Sequence, residues 1–316
     1  MSLENHLKID SPKVATDIEN LIKEKMVSLK REGVIIGLSG GLDSAVAAGL
    51  LSRAVGKDKV RALIMPEKDS APRSKKDAQM VASHYGIKTE IIDLTPYLKL
   101  FGIYRLLPTK FLPKIFQAKL VRKFYELYYK KTGETFFQTQ LLGTSGYPYQ
   151  GWLNKSSAYY RAKHRLRMVL LYREAELNNL LFISSANKTE WLTGFFVKWG
   201  CDGVGDVAPL MGLYKTQVRE LARFLEVPEK IIDKTPSPDM MPGITDEYAM
   251  GITYDRLDLI LVGIEKKLSL AEIASQAGIE KKTVEYVNEL YKRSEHMRKV
   301  YTLRVLNNYE TLSSRA

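Results

Sequence analysis

Apolar positions along this chain alternate between two rhythms. After Ser11-Pro12, a cap followed by proline at the first helical position, Val14, Ile18, Leu21, Ile22, Met26 and Leu29 recur at the spacing of one helical face. The unbroken run from Val34 reads as a buried strand, and AVAAGLLSRAV beyond Ser44 as a helix. Val60–Met65 then predicts a second strand, Ser74–Tyr85 a helix opened by Ser74 and Asp77 at capping-box spacing, and Thr89–Leu94 a third strand. Strand alternating with helix predicts an α/β fold whose parallel sheet is covered on both faces. Ligands of such sheets sit beyond the carboxyl ends of the strands.

The rhythm breaks between residues 97 and 150. This stretch carries nine Lys or Arg against two Glu, interleaved with Tyr and Phe, and holds one clear helix, Gln117–Lys131, ended by Gly133. Basic residues among aromatics suit nucleic acid or lipid headgroups. An inserted helical hairpin that buries its aromatics against the body or a dimer mate is the favoured expectation. The sheet pattern resumes with a helix over 156–178, the strand LLFISSA and a helix over 216–226, and Ser269–Tyr291 predicts two helices about Gly278, with Ser269 and Glu272 as a capping box. Helix, glycine turn, helix is also the outline of a DNA-reading motif, but Lys281 and Lys282 are mixed with Glu285 and Glu289 and no base-contacting set stands out.

Composition narrows the setting without choosing a partner. A net charge of +12 attracts anions of any kind. The single cysteine, Cys201, excludes an intramolecular disulfide and any multi-cysteine metal site, which suits a reducing cytoplasm. No apolar run reaches spanning length, and Met1–Asp10 lacks the apolar core of a signal peptide. No stable membrane or nucleic-acid partner is expected.

The chemistry concentrates in Gly37, Leu38, Ser39, Gly40, Gly41, Leu42, Asp43 and Ser44. A strand ending in a glycine pair and passing into a helix start cradles phosphate: Gly40 and Gly41 permit the turn and the close approach of N–H groups, while Ser39 and Ser44 add hydroxyls. Asp43 would repel a bare phosphate but suits a shared Mg²⁺. Gly37-Leu38-Ser39-Gly40-Gly41 also fits a nucleophile elbow, yet no later acid and histidine can be singled out to complete that triad. A tight turn without chemistry is the bland alternative. A Walker A loop is excluded, because the only Gly-Lys, Gly56-Lys57, is followed by Asp and lacks the upstream glycine. Gly203–Ala208 matches a dinucleotide fingerprint in form only, since no strand precedes it and Pro209 follows.

The block resembles the SGGxDS loop of ATP pyrophosphatases. Together with NKTEWLTGFFVKWG, Leu213–Leu225, KTPSPDM and DEYAMGITYDRLD in this order, the chain resembles the ammonia-dependent NAD synthetases. The resemblance implies a Rossmann-like doubly wound sheet in a single domain over 1–316, with a mostly helical insertion at about 97–150 and a helical tail at about 269–316. It implies a homodimer that adenylates deamido-NAD with ATP and lets ammonia displace AMP. By resemblance Asp43 and Glu190 are Mg²⁺ ligands, Asp43 and Lys215 are catalytic, and Ser185, Lys215 and Ser237 join the loop in binding ATP. Arg165, Lys198, Asp206, Glu247 and His296 fall on deamido-NAD positions, Arg165 across the dimer interface.

Departures cluster on the dinucleotide side: Arg161 for Asn, His164 for Ala, Met297 for Lys, and the extra Cys201. The ATP side is nearly intact, so another carboxylate substrate is one alternative. No glutaminase domain fits in this length, so ammonia is free or comes from a separate glutaminase. A tRNA-modifying ATP pyrophosphatase is the rival reading, against which stand the absent cysteine pair and the fit of the downstream blocks.

Overall fold

β-Branched residues are stiff at χ1 and suit a pleated strand covered on both faces, and Val34, Ile35 and Ile36 form the centre of β1 (Gly33–Gly37). In the computed structural model, which describes residues 2–107, 114–203, 205–237 and 244–302, β1 pairs in parallel with β2 (Val60–Ile64), and β2 with β3 (Lys88–Ile91). On its other side β1 pairs in parallel with β4 (Leu180–Ile183), giving the order β3-β2-β1-β4. Residues 108–113 of the insertion, Val204, the end of KTPSPDM from 238 and the tail beyond 302 lie outside the described residues.

Successive strand side chains point to opposite faces. Val34, Ile36, Ala62, Ile64, Leu181 and Ile183 pack with α1 (Ser11–Ser28), α2 (Leu42–Val55) and α3 (Pro72–Tyr85) in one apolar cluster. Each fully buried Leu or Val there contributes roughly 1.5–3 kcal/mol. The opposite face carries Ile35, Leu63 and Phe182.

Between β3 and β4 the chain forms α4 (Thr95–Leu100), α5 (Ile103–Leu106), α6 (Lys114–Thr132), α7 (Phe136–Leu141) and the long α8 (Gln150–Leu177). Leu171 and Ala175 of α8 cover that opposite face, so the sheet is doubly wound. In the insertion, Tyr125, Tyr128 and Phe136 pack with Leu153, Ile244 and Ala249, which is burial against the chain's own body.

Beyond β4 lie α9 (Lys188–Thr193), α10 (Lys215–Phe224), α11 (Glu229–Ile232), α12 (Asp246–Met250), α13 (Tyr254–Glu265), α14 (Leu270–Ala277) and α15 (Lys281–Arg293). The Ser269–Glu272 capping box forms, and Gly278 takes a left-handed φ of +62°. Ile273, Val284 and Val287 of this helix pair are buried with Leu257 and Ile260 of α13.

Two helix starts and one strand end show where the structure departs from the sequence expectation. Asp10, not Ser11, caps α1, its Oδ1 accepting from Lys13 N at 3.1 Å. The expected Ser74–Asp77 capping box is absent: α3 opens at Pro72, and Asp77 is drawn inward by Lys234, Lys230 and Arg73. The third strand ends at Ile91, although Ile92 N and Leu94 N still donate to Ile64 O and Pro66 O.

No helix among the described residues is long and apolar enough to cross a membrane. Connections leave β1 toward β2 on one side and reach β4 on the other, so the crevice at the carboxyl end of β1 is a switch point where ligands of such sheets bind.

Candidate functional site

The loop after β1 owes its shape to one glycine. Gly40 has a φ of +74°, and a Cβ on it would lie 2.6 Å from Ser74 O and 2.7 Å from Ala78 N, backbone atoms of α3. Only glycine meets both demands. Gly41 is extended (φ −94°, ψ 164°), so the turn does not require the pair, contrary to the sequence reading. Ser44 Oγ donates to Gly41 O at 3.0 Å and lies 3.0 Å from Ser39 Oγ, and Gly41 N donates to Ser39 Oγ at 3.2 Å. Lys234 pins the loop from outside, donating to Gly40 O at 3.0 Å and Asp77 Oδ2 at 2.8 Å. The first bond of α2 is Ala45 N to Gly41 O, so the N–H groups of Leu42, Asp43 and Ser44 form the helix's electropositive first turn.

Beside that turn lies a charged floor. Asp43 Oδ2 accepts a short hydrogen bond from Lys215 Nζ, and Asp43 Oδ1 accepts from Asn187 Nδ2 at 2.9 Å. Lys215 Nζ is also 3.6 Å from Glu190 Oε1 and lies 5.3 Å from the centre of the Tyr254 ring. Asn187 and Glu190 cap α9 reciprocally, which turns Glu190 toward the floor. Asp246 lies close by, with Oδ2 accepting from Tyr254 Oη at 3.0 Å and Oδ1 buried without a partner among the described residues.

Three carboxylates thus face one ammonium. Burial works against the Lys215 charge, but Asp43, Glu190 and Asp246 outweigh it and hold the ammonium protonated. Burial and the Asp43 charge push Glu190 well above the ordinary carboxylate range. Burial likewise pushes Asp246 up to about 6, with Lys215 opposing. Asp258 supports this floor from below: it accepts from Thr189 Oγ1 at 2.5 Å and from Thr216 N at 2.9 Å, and Thr189 Oγ1 accepts from Lys215 N at 2.9 Å.

One cavity opens over the floor and a second lies beside it. The larger, about 420 Å³, is lined by Ser39, Gly41–Ser44, Ser185, Glu190, Lys215, Ser237 and Asp246, with Tyr125, Phe136 and Phe137 of the insertion as a wall. The smaller, about 130 Å³, runs from Gly37, Leu38 and Ser39 to Met65 and Glu67 at the end of β2. Its side is the buried Lys163, which donates to Glu67 Oε1 at 2.9 Å and Asp69 Oδ2 at 2.8 Å. His164, Ser185 and Asp202 line both.

The loop, Ser185, Glu190, Lys215 and Ser237 therefore converge, as read from the sequence. The dinucleotide set does not. Asp206 is exposed and accepts from Phe182 N at 2.9 Å, because Val207 bridges in parallel to Ile183 and turns the acid away; Asp202 lines the cavities in its stead. Glu247 accepts from Tyr254 N at 2.9 Å at the start of α13, leaving Asp246 on the cavity side. Arg165, Lys198 and His296 line neither cavity but join in a surface chain: Arg165 Nη2 donates to Lys198 O at 3.2 Å, Lys198 Nζ donates to His296 O at 2.7 Å, and His296 Nε2 lies 2.5 Å from Leu141 O. Sequence reasoning missed Asn187, Asp246, Asp258, Lys163 and Lys234. Only Asn187 carried a local signal, the Asn-x-x-Glu capping spacing.

Known proteins resemble this chain in sequence and in fold. The NAD synthase family pattern matches residues 14–122 and 152–301. The NH(3)-dependent NAD(+) synthetase of Coprothermobacter proteolyticus is 44% identical over 257 residues, 79% of this chain and 83% of that protein. That of Thermotoga maritima is 42% identical over 281 residues, 89% of this chain and 95% of that protein. Of solved structures, the NMN synthetase of Francisella tularensis superposes with a TM-score of 0.67 at 27% identity, covering 96% of this chain and 100% of that one. The NH3-dependent NAD synthetase of Campylobacter jejuni gives 0.65 at 23% identity, with 94% and 100% covered, and supports the fold. A match that enters in α1, skips part of the insertion and runs past α15, with relatives this similar over nearly their whole length, places the chain in the NAD synthase family.

Proposed function

We propose that this chain converts deamido-NAD, ATP and ammonia to NAD, AMP and pyrophosphate. The observation that carries the reading is the Lys215 ammonium set against Asp43 at the first turn of α2, inside the switch-point cavity. A carboxylate is a poor electrophile. Its oxygen attacks the α-phosphorus of ATP, the bond to the β-phosphate oxygen breaks, and pyrophosphate leaves. Ammonia nitrogen then attacks the acyl carbon, AMP departs, and a proton is released.

The chain's own groups meet the charge that develops. Lys215 and the N–H groups of Leu42–Ser44 face the polyphosphate, and the rigid loop needs no reorganisation to receive it. Burial pushes Asp246 up to about 6 on the cavity side, with the Lys215 charge opposing. Asp43 and Glu190, both on the Lys215 ammonium, with Asp246 Oδ1 buried nearby without a partner among the described residues, offer hard oxygens that fit Mg²⁺. Asp43 and Glu190 would hold the ion, which when bound neutralises charge on the leaving pyrophosphate. The surface chain of Arg165, Lys198 and His296 suits a dinucleotide site completed by a second copy in a homodimer, working in the cytoplasm on free ammonia or ammonia from a separate glutaminase.

The test is to incubate the protein with ATP, Mg²⁺, ammonium and either deamido-NAD or the mononucleotide acid, because one similar structure is that of an NMN synthetase. Stoichiometric AMP, pyrophosphate and NAD with deamido-NAD support the reading. Product from the mononucleotide alone would replace the substrate, and no AMP release with either would overturn the chemistry.

A further inference from the structure

His164 and Cys201 do not belong to the Asp43–Lys215–Glu190 floor. Folding brings them together with Asp202. One donor atom from each lies within 4.8 Å of the others, and no other three His, Cys, Asp or Glu side chains among the described residues do this. His164 Nδ1 is 3.8 Å from Cys201 Sγ and 2.5 Å from Asp202 Oδ2, and Cys201 Sγ is 3.4 Å from Asp202 Oδ1.

The backbone holds this set in place. Gly200 lets the loop press on α8, since a Cβ there would lie 3.0 Å from His164 Cβ and 2.8 Å from Val197 Cβ. Cys201 N then donates to His164 O at 3.3 Å, and Ala186 N donates to Asp202 O at 3.2 Å, tying the three residues to α8 and to the segment after β4.

We propose that His164 Nδ1, Cys201 Sγ and an Asp202 oxygen hold one zinc-class divalent cation where the two cavities meet, with a fourth position for water or a ligand atom from the cavity. Tetrahedral zinc with bonds of about 2.3 Å to sulfur and about 2.0–2.1 Å to nitrogen and oxygen sets S···N and S···O near 3.6 Å. The observed sulfur separations of 3.8 and 3.4 Å bracket that value, whereas the 2.5 Å contact of His164 Nδ1 with Asp202 Oδ2 is that of the metal-free pair and must open to about 3.3 Å on binding. A neutral imidazole, a thiolate and a carboxylate balance a charge of 2+, and binding releases the thiol proton to solvent. The soft sulfur separates this site from the all-oxygen floor, which suits magnesium.

The test uses the full-length reduced protein, stripped of metal and titrated with Co²⁺ in excess Mg²⁺ and without nucleotide. The expected result is a near-ultraviolet cobalt–thiolate band that saturates at one equivalent and is lost when Zn²⁺ is added. Folded His164→Gln should weaken Co²⁺ binding about tenfold or more, whereas Asp43→Asn should leave the band unchanged. Absence of the band in the wild-type protein overturns the proposal, and that measurement depends on no variant folding. A band undiminished in His164→Gln, or one lost in Asp43→Asn, also overturns it.

Discussion

Asp258 offers a test of how the charged floor is held. It is fully buried, and its oxygens accept from Thr189 Oγ1, Thr216 N and Thr216 Oγ1. Burial disfavours its charge while the three donors favour it. Burial prevails, and the carboxyl is pushed up to about 6 from its ordinary 3.8. Between those values the folded chain binds more protons than the unfolded one, so this group's contribution to stability falls as pH rises from about 4 to above 6. The displacement is worth about 3 kcal/mol in full. Asp258→Asn cannot titrate and turns an amide NH₂ toward a donor, so it is less stable than wild type at about pH 4. Its deficit should shrink by roughly 2–3 kcal/mol between about pH 4 and pH 7.5, because only the wild type loses stability there. Urea unfolding of both proteins at matched ionic strength measures the gap. A gap that stays constant or widens with pH would refute the reasoning and mean that the three donors, not burial, govern this carboxyl.

The loop and the surface chain yield further expectations. Gly40→Ala places a left-handed alanine against the backbone of α3 and should cost at least about 3 kcal/mol in thermal unfolding; an unchanged Tm would contradict the geometry. Asp43→Asn and Glu190→Gln should each lower turnover about a hundredfold or more with folding retained, and near wild-type AMP release at saturating Mg²⁺ would remove both from metal binding. Arg165→Ala should raise KM for the carboxylate substrate well above any change in KM for ATP. Equal effects on the two would make Arg165 a structural tie to Lys198 O.

What the sequence made legible was local. The apolar rhythm located the strands, and five ordered blocks carried the family because each block holds its meaning within a few residues. Side-chain direction was less accessible. Asp246 and Glu247 are adjacent acids, but neighbours on a helix point about 100° apart, and only the first faces the cavity. Asp202 and Asp206 divide similarly, one lining the cavities and the other tied to Phe182 N. Asp258 had no local mark at all, because its partners Thr189 and Thr216 are 69 and 42 residues away. The Ser74–Asp77 box failed for a related reason: Lys234, distant in sequence, competes for Asp77 with a full charge and draws it off the helix end.

The wall of the larger cavity lies between the stretches that match the family pattern, whereas its floor lies within them. Tyr125, Phe136, Phe137, Gln140 and Leu141 face the same space as Asp43 and Lys215, yet they fall in residues 123–151, between the two stretches that match the family pattern. Gly40, Lys215 and Asp258 are held by contacts on the sheet side, and none of their hydrogen bonds passes through that wall. The wall can therefore change in length and residue without breaking the hydrogen bonds that place Lys215, Asp258 and the Gly40 turn.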